Sequence, residues 1–138
     1  MSDPLSISMQ VSSAGLEAQT QRMRIISQNI ANAGVTGTAP GDDPYTRKVI
    51  TFTEVLDRES GISMVKVGNT SPDNTPFVEK YEPHHIAADE RGVVKYSNVN
   101  TLTEMIDMRE TIRFYEANLE TAKQARNLIT MTLDMMRA

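Results

Sequence analysis

The chain has 138 residues, a formal net charge of −4, no cysteine or tryptophan, and only 5% aromatic residues. The acidic balance argues against a nucleic-acid footprint or an anionic membrane surface, both of which want clustered lysine and arginine. The lack of cysteine excludes disulfides, thiolate metal sites and cysteine nucleophiles, and no apolar run approaches the ~20 residues of a membrane span.

Asp3-Pro4 opens a helix, aspartate as N-cap and proline at the first helical position. Met9, Leu16, Met23 and Ile30 then recur every seventh residue, joined by Ile26 and Ala33, while Val11, Ala18 and Ile25 widen the stripe. The pattern predicts an amphipathic helix of about 30 residues, with Gly34 placed as its C′ glycine. The stripe is weakest at Ser12-Ser13-Ala14-Gly15. That stretch reads either as a local kink or as a small-residue notch where another helix approaches closely. The opening MSDPLSISMQ is neither basic nor continuously apolar and does not read as a signal peptide.

The middle of the chain reads as a small β insert. Residues 35–44 form a Gly/Pro/Asp-rich connector. Its GTAPG run lacks the lysine ending and the preceding strand of a phosphate loop. Residues 45–55 are β-branched and aromatic and predict a strand; 62–67 predict a second, in a hairpin through Ser60-Gly61. A loop at 68–76, a third strand at 77–81 and a fourth at 93–96 after Arg91-Gly92 complete the insert. The only histidines, His84 and His85, lie near Asp89 and Glu90. Adjacent side chains in an extended segment point apart and nothing completes a metal shell, so the plain reading is a solvated polar loop. No serine carries a nucleophile-elbow signature, and Asp42-Asp43 is turn chemistry without EF-hand spacing.

The last third, 101–137, contains no Gly or Pro and predicts a helix roughly 50 Å long. Thr101 and Glu104 have capping-box spacing. Met105, Met108, Ile112, Tyr115, Leu119 and Ala122 alternate at spacings of three and four; Arg126 interrupts, and Ile129, Leu133 and Met136 resume. This is coiled-coil patterning. The fold class expected is mainly α with a small β insert: two long terminal helices pairing as a coiled coil, with short antiparallel strands between. The boundaries fall at 1–34, 35–97 and 98–138. Neither stripe is satisfied by one neighbour, so both stripes are assigned to subunit interfaces, and the methionines among them suit contacts with non-identical partners.

Two motifs carry a resemblance. Ser13-Ala14-Gly15-Leu16-Glu17-Ala18-Gln19, Arg22-Met23 and 26–33, with Asn29, Ala31 and Asn32, resemble the amino-terminal motif of bacterial flagellar rod and hook axial proteins. Asn98-Val99-Asn100, residues 104–108 and Tyr115-Glu116-Ala117-Asn118 resemble the carboxy-terminal one, and the short length is similar to that of proximal-rod members. His85 and Ser97 stand where the family commonly has proline. The resemblance implies a non-enzymatic rod subunit without cofactor or small-molecule substrate. Its partners would be copies of itself and other rod proteins in a helical assembly. It would pass unfolded through the flagellar type III export apparatus, without a cleaved signal, into the periplasmic part of the basal body. The rival is a coiled-coil export chaperone or adaptor, which would not need both asparagine motifs. A hydrolase has only His84 and His85 behind it.

Overall fold

The structure is a computed structural model that describes residues 3–138. Its elements, in chain order, are α1 (Pro4–Ala31), β1 (Lys48–Asp57), β2 (Ile62–Pro72), β3 (Val78–Tyr81), β4 (Val93–Tyr96) and α2 (Thr101–Arg137). It is the expected architecture: two terminal helices with two small antiparallel strand pairs between them.

The helix ends show how local chemistry sets the boundaries. Asp3 caps α1, its carboxylate accepting from Leu5 N–H at 3.5 Å and its carbonyl from Ile7 N–H at 3.0 Å. The other end differs from expectation. Gly34 does not enter the left-handed region, so it is no C′ glycine. Instead Asn32 N–H reaches Gln28 and Asn29 carbonyls, both at 3.2 Å, and the Asn32 side-chain amide donates to the Gln28 carbonyl at 2.8 Å. An asparagine side chain and a tightened last turn satisfy the carbonyls that a glycine motif would otherwise serve. α1 runs unbroken through Ser12–Gly15, so the small residues do not mark a break in the helix.

At the start of α2 the cap is Asn100, not Thr101. Asn100 Oδ1 accepts from Leu102 N–H at 3.0 Å and Thr103 N–H at 3.3 Å. Glu104 has no part in a capping box: its side chain is buried. Asparagine one residue earlier offers the same acceptor, which frees Glu104 to be drawn inward by a cation elsewhere in the chain.

β1 begins at Lys48 rather than Tyr45, and β2 extends beyond Val67 to Pro72. The hairpin reverses at Gly61, whose φ of 70° suits glycine, with Gly61 N–H donating to Asp57 O at 2.8 Å. The polar residues after Val67 still pair, because a ladder needs only backbone groups and most of this hairpin faces solvent. Gly68 permits it: a Cβ there would lie 2.8 Å from Thr51 Oγ1. β3 and β4 pair antiparallel, from Val78 opposite Tyr96 to Tyr81 opposite Val93. The connector joins them through a bridge between Thr36 and Tyr96, and Ser97 N–H donates to Val35 O at 3.2 Å. A proline at position 97 could not donate that bond.

Contacts gather the chain into two compact units, each drawing on both helices and on the insert. One takes α1 through Met23, Thr51–Asn69 and α2 from Arg109; the other takes Arg24–Ile50 and Thr70–Met108. The second holds most of the buried apolar residues, Ile26, Ala87, Val94 and Val99.

Candidate assembly surface

In the second unit the motif residues form internal staples. Asn29, fully buried, faces the start of β1. Its amide donates to Lys48 O at 2.9 Å and its Oδ1 accepts from Lys48 N–H at 3.0 Å, so one side chain serves Lys48 as a neighbouring strand would. Tyr45 Oη donates to the same Oδ1 at 2.8 Å, and Asn29 Nδ2 also reaches Glu104 Oε2 at 3.2 Å. Glu104 in turn accepts from Arg47 Nε. The Arg47 guanidinium also meets Asp73 at 3.1 Å and Asp107 at 3.7 Å. Asn98 repeats the device, accepting Arg47 N–H at 2.7 Å and donating to Asp73 O at 3.2 Å and Thr75 O at 2.9 Å. One knot thus ties α1, the entry to β1, the loop after β2 and α2. Such a group is stabilising only when every member is satisfied. The electrostatics follow the geometry. Thr75, bonding through its hydroxyl and N–H, holds the Asp73 carboxyl below the usual range, with Arg47 adding to the effect. Burial first, and the Glu104 charge second, push the Tyr45 hydroxyl up.

In the first unit the helices meet antiparallel. Gly15 sits against Asn118, where an added Cβ would lie 2.8 Å from Nδ2, and Arg22 pairs with Glu110 at 3.7 Å. The stretch at Ser12–Gly15 is therefore a notch that admits a side chain of α2. Buried positions on α1 are Ser12, Gly15 and Ala18, and on α2 Thr111 and Ala125. The inner side of each helix is small and polar. Of the α2 stripe, Met108, Tyr115, Leu119, Ala122 and Ile129 are half-buried, but Met105, Ile112, Leu133 and Met136 are exposed. On α1, Ile26 is buried, and Met9, Leu16, Met23 and Ile30 are half-buried. The apolar side chains left over lie on the outside of α2: Leu102, Ile106, Phe114, Leu128, Met131 and Met135 are all exposed as well. Among the other motif residues, Ala31 and Glu116 are exposed and Asn32 caps α1.

The histidines are explained by their turn. His84 is exposed, and His85 Nδ1 accepts from Ala87 N–H at 3.0 Å, with its ring 6.5 Å from that of Tyr96. Among the described residues no group of acidic, histidine or cysteine side chains could hold a metal, and no helix is long and apolar enough to cross a membrane.

Side chains that fasten the chain to itself, together with a long helix α2 whose larger apolar residues lie outside, define a helical structural subunit with an apolar face left uncovered. Known proteins give that class its family. The model described as "Flagella basal body rod protein" matches residues 9–37, and "Flagellar basal body rod FlgEFG protein C-terminal" matches residues 90–135. The chain is similar to the flagellar basal-body rod protein FlgC of Agrobacterium fabrum, 49% identical over 99% of this chain and 98% of that protein. It is also similar to the FlgC proteins of Buchnera aphidicola, 32% identical over 89% of this chain and 91% of that protein, and of Escherichia coli O157:H7, 32% identical over 91% and 92%. The chain belongs to the FlgC family of flagellar basal-body rod proteins. That is a family of structural rod subunits rather than enzymes, and the matches leave the export-chaperone reading without support.

Proposed function

We propose that this chain polymerises with copies of itself and with other rod subunits to form the periplasmic drive shaft that carries torque from motor to hook. It reaches that place through the flagellar type III export apparatus, without a cleaved signal peptide. The observation that carries the reading is the outward apolar face of α2, from Met105 and Ile112 to Leu133 and Met136. A monomer gains nothing by exposing such a surface, and a neighbouring subunit would remove it from water. The interface would also include Met9, Leu16, Met23 and Ile30 of α1 and Met108, Tyr115, Leu119, Ala122 and Ile129 of α2, but not Ile26, which its own chain already buries. Two helices with different faces suit the heterologous contacts of an open helical assembly. The absence of cysteine agrees with export unfolded and folding without oxidation. Stiffness would come from many packed helices rather than from any one site.

The test is Ile112→Asp in a strain that lacks its own copy. A carboxylate buried without a partner costs several kcal/mol at an interface. In the monomer Ile112 is 40% exposed and the new carboxylate keeps its water, so the cost to folding should be well below the cost at an interface. Exported, folded protein without completed rods is expected; normal swimming would refute the interface.

A further inference from the structure

We propose that Met131, Met135 and Met136, at the end of α2, form an oxidation-sensitive site through which a peroxide blocks assembly of this subunit. The inference rests on the reading above that this end is buried between subunits. The three side chains are 61%, 72% and 77% exposed, against 54% at Met105 in the first turns of α2, whereas Met9, Met23, Met64 and Met108 are half-buried. Reactivity toward a small oxidant follows access. The chain has no cysteine, so no thiolate competes for the oxidant. Met131 and Met135 are one helical turn apart on a face with Leu128, and Met136 shares the adjoining face with Leu133. The modification therefore falls within the apolar patch rather than beside it.

The step is a two-electron oxygen transfer. A sulfur lone pair attacks one peroxide oxygen, an S–O bond forms and the O–O bond breaks. The thioether is oxidised to the sulfoxide and the peroxide is reduced to water. A flexible apolar side chain becomes polar and chiral. In the free subunit the sulfoxide stays in water and costs nothing. At an interface it would have to be desolvated, which is worth about tenfold in affinity or more per group. Once assembled, the same sulfurs are covered, so the subunit is vulnerable only between export and incorporation.

The experiment uses the purified full chain with hydrogen peroxide, read by peptide mass spectrometry and sedimentation velocity. The expected result is sulfoxide at Met131, Met135 and Met136 several-fold faster than at Met9, Met23, Met64 and Met108, with Met105 between the two groups. Self-association should weaken at least about tenfold. Treatment with methionine sulfoxide reductases of both stereospecificities should restore it. In a Met105→Leu background, which removes the other exposed methionine of α2, the Met131→Leu, Met135→Leu, Met136→Leu variant should keep associating in peroxide while the background alone does not. Uniform oxidation of all the methionines would overturn the site. Rapid oxidation with unchanged association would overturn the block. Leu133→Asp separates that failure from failure of the interface itself: if it also associates normally, the end of α2 is not an interface, and if it dissociates, the interface stands and tolerates sulfoxide.

Discussion

Asn29 makes four hydrogen bonds from one buried side chain, to Lys48 N–H, Lys48 O, Tyr45 Oη and Glu104. Asn29→Ala strips them and leaves Lys48's backbone groups without that partner, so a loss on the order of 3 kcal/mol is expected. Denaturant unfolding followed through the four tyrosines would read it, and a cost below 1 kcal/mol would mean that water replaces the side chain. Asp73 supplies a pH test. Its folded value is depressed, mainly by Thr75, so its stabilisation is present above the ordinary carboxylate range near pH 4 and is lost as pH falls through the lower folded value. Asp73→Asn should lower the melting temperature at neutral pH and flatten its fall in acid; parallel curves for mutant and parent would contradict this. Asn29, Asn98 and Asn100 are visible in the sequence as motif residues, but their roles are not. Thr101-x-x-Glu104 matches a capping box, and only Arg47, distant in the chain, shows why Glu104 turns inward instead.

Alternation by threes and fours is legible along both helices, yet hydrophobicity alone selects the outer edge. On α2 it picks Met105, Ile112 and Leu119, while burial falls on their immediate predecessors Glu104 and Thr111, and Asn118 meets Gly15. An inner seam of small and polar side chains lets helices approach closely, and the larger apolar residues are left for the outside. In a protein that ends its life as a monomer the opposite assignment would be right, which is why periodicity could place the helices but not orient them. Gly15 tests the seam. Gly15→Leu would collide with Asn118 and is expected to cost about 1–3 kcal/mol by overpacking. Much of that cost should disappear in an Asn118→Ala background, since the colliding atoms all belong to the Asn118 side chain. Thermal melts of the two singles and the double give the coupling, and strictly additive losses would show that the notch does not hold Asn118.

At the scale of the whole molecule the two faces of α2 differ, one packed on its own chain and one apolar and exposed, and its end separates them. Within the first unit, Gly15 lies opposite Asn118 and the helices run antiparallel. Continued at that register, Pro4 comes level with Ile129, the last half-buried residue of α2; residues 130–138 are all exposed. These turns outrun the helix they pack on, so among the described residues nothing covers their apolar content. Arg126, exposed where the stripe breaks, marks the approach to this overhang. Truncation after Thr130 removes Leu133, Met135 and Met136, which are 50%, 72% and 77% exposed. In the monomer such surface changes are usually within about 0.5 kcal/mol, so unfolding of the purified chain should hardly move. In the assembly each would be worth on the order of 1.5–3 kcal/mol if fully buried. The truncated subunit should therefore fold and be exported, and yet fail to complete rods. Cryo-microscopy of basal bodies from the truncated strain, beside melting of the purified protein, reads both halves. Intact rods would show that the overhang faces solvent in the assembly, and a destabilised monomer would show that it packs on its own chain after all.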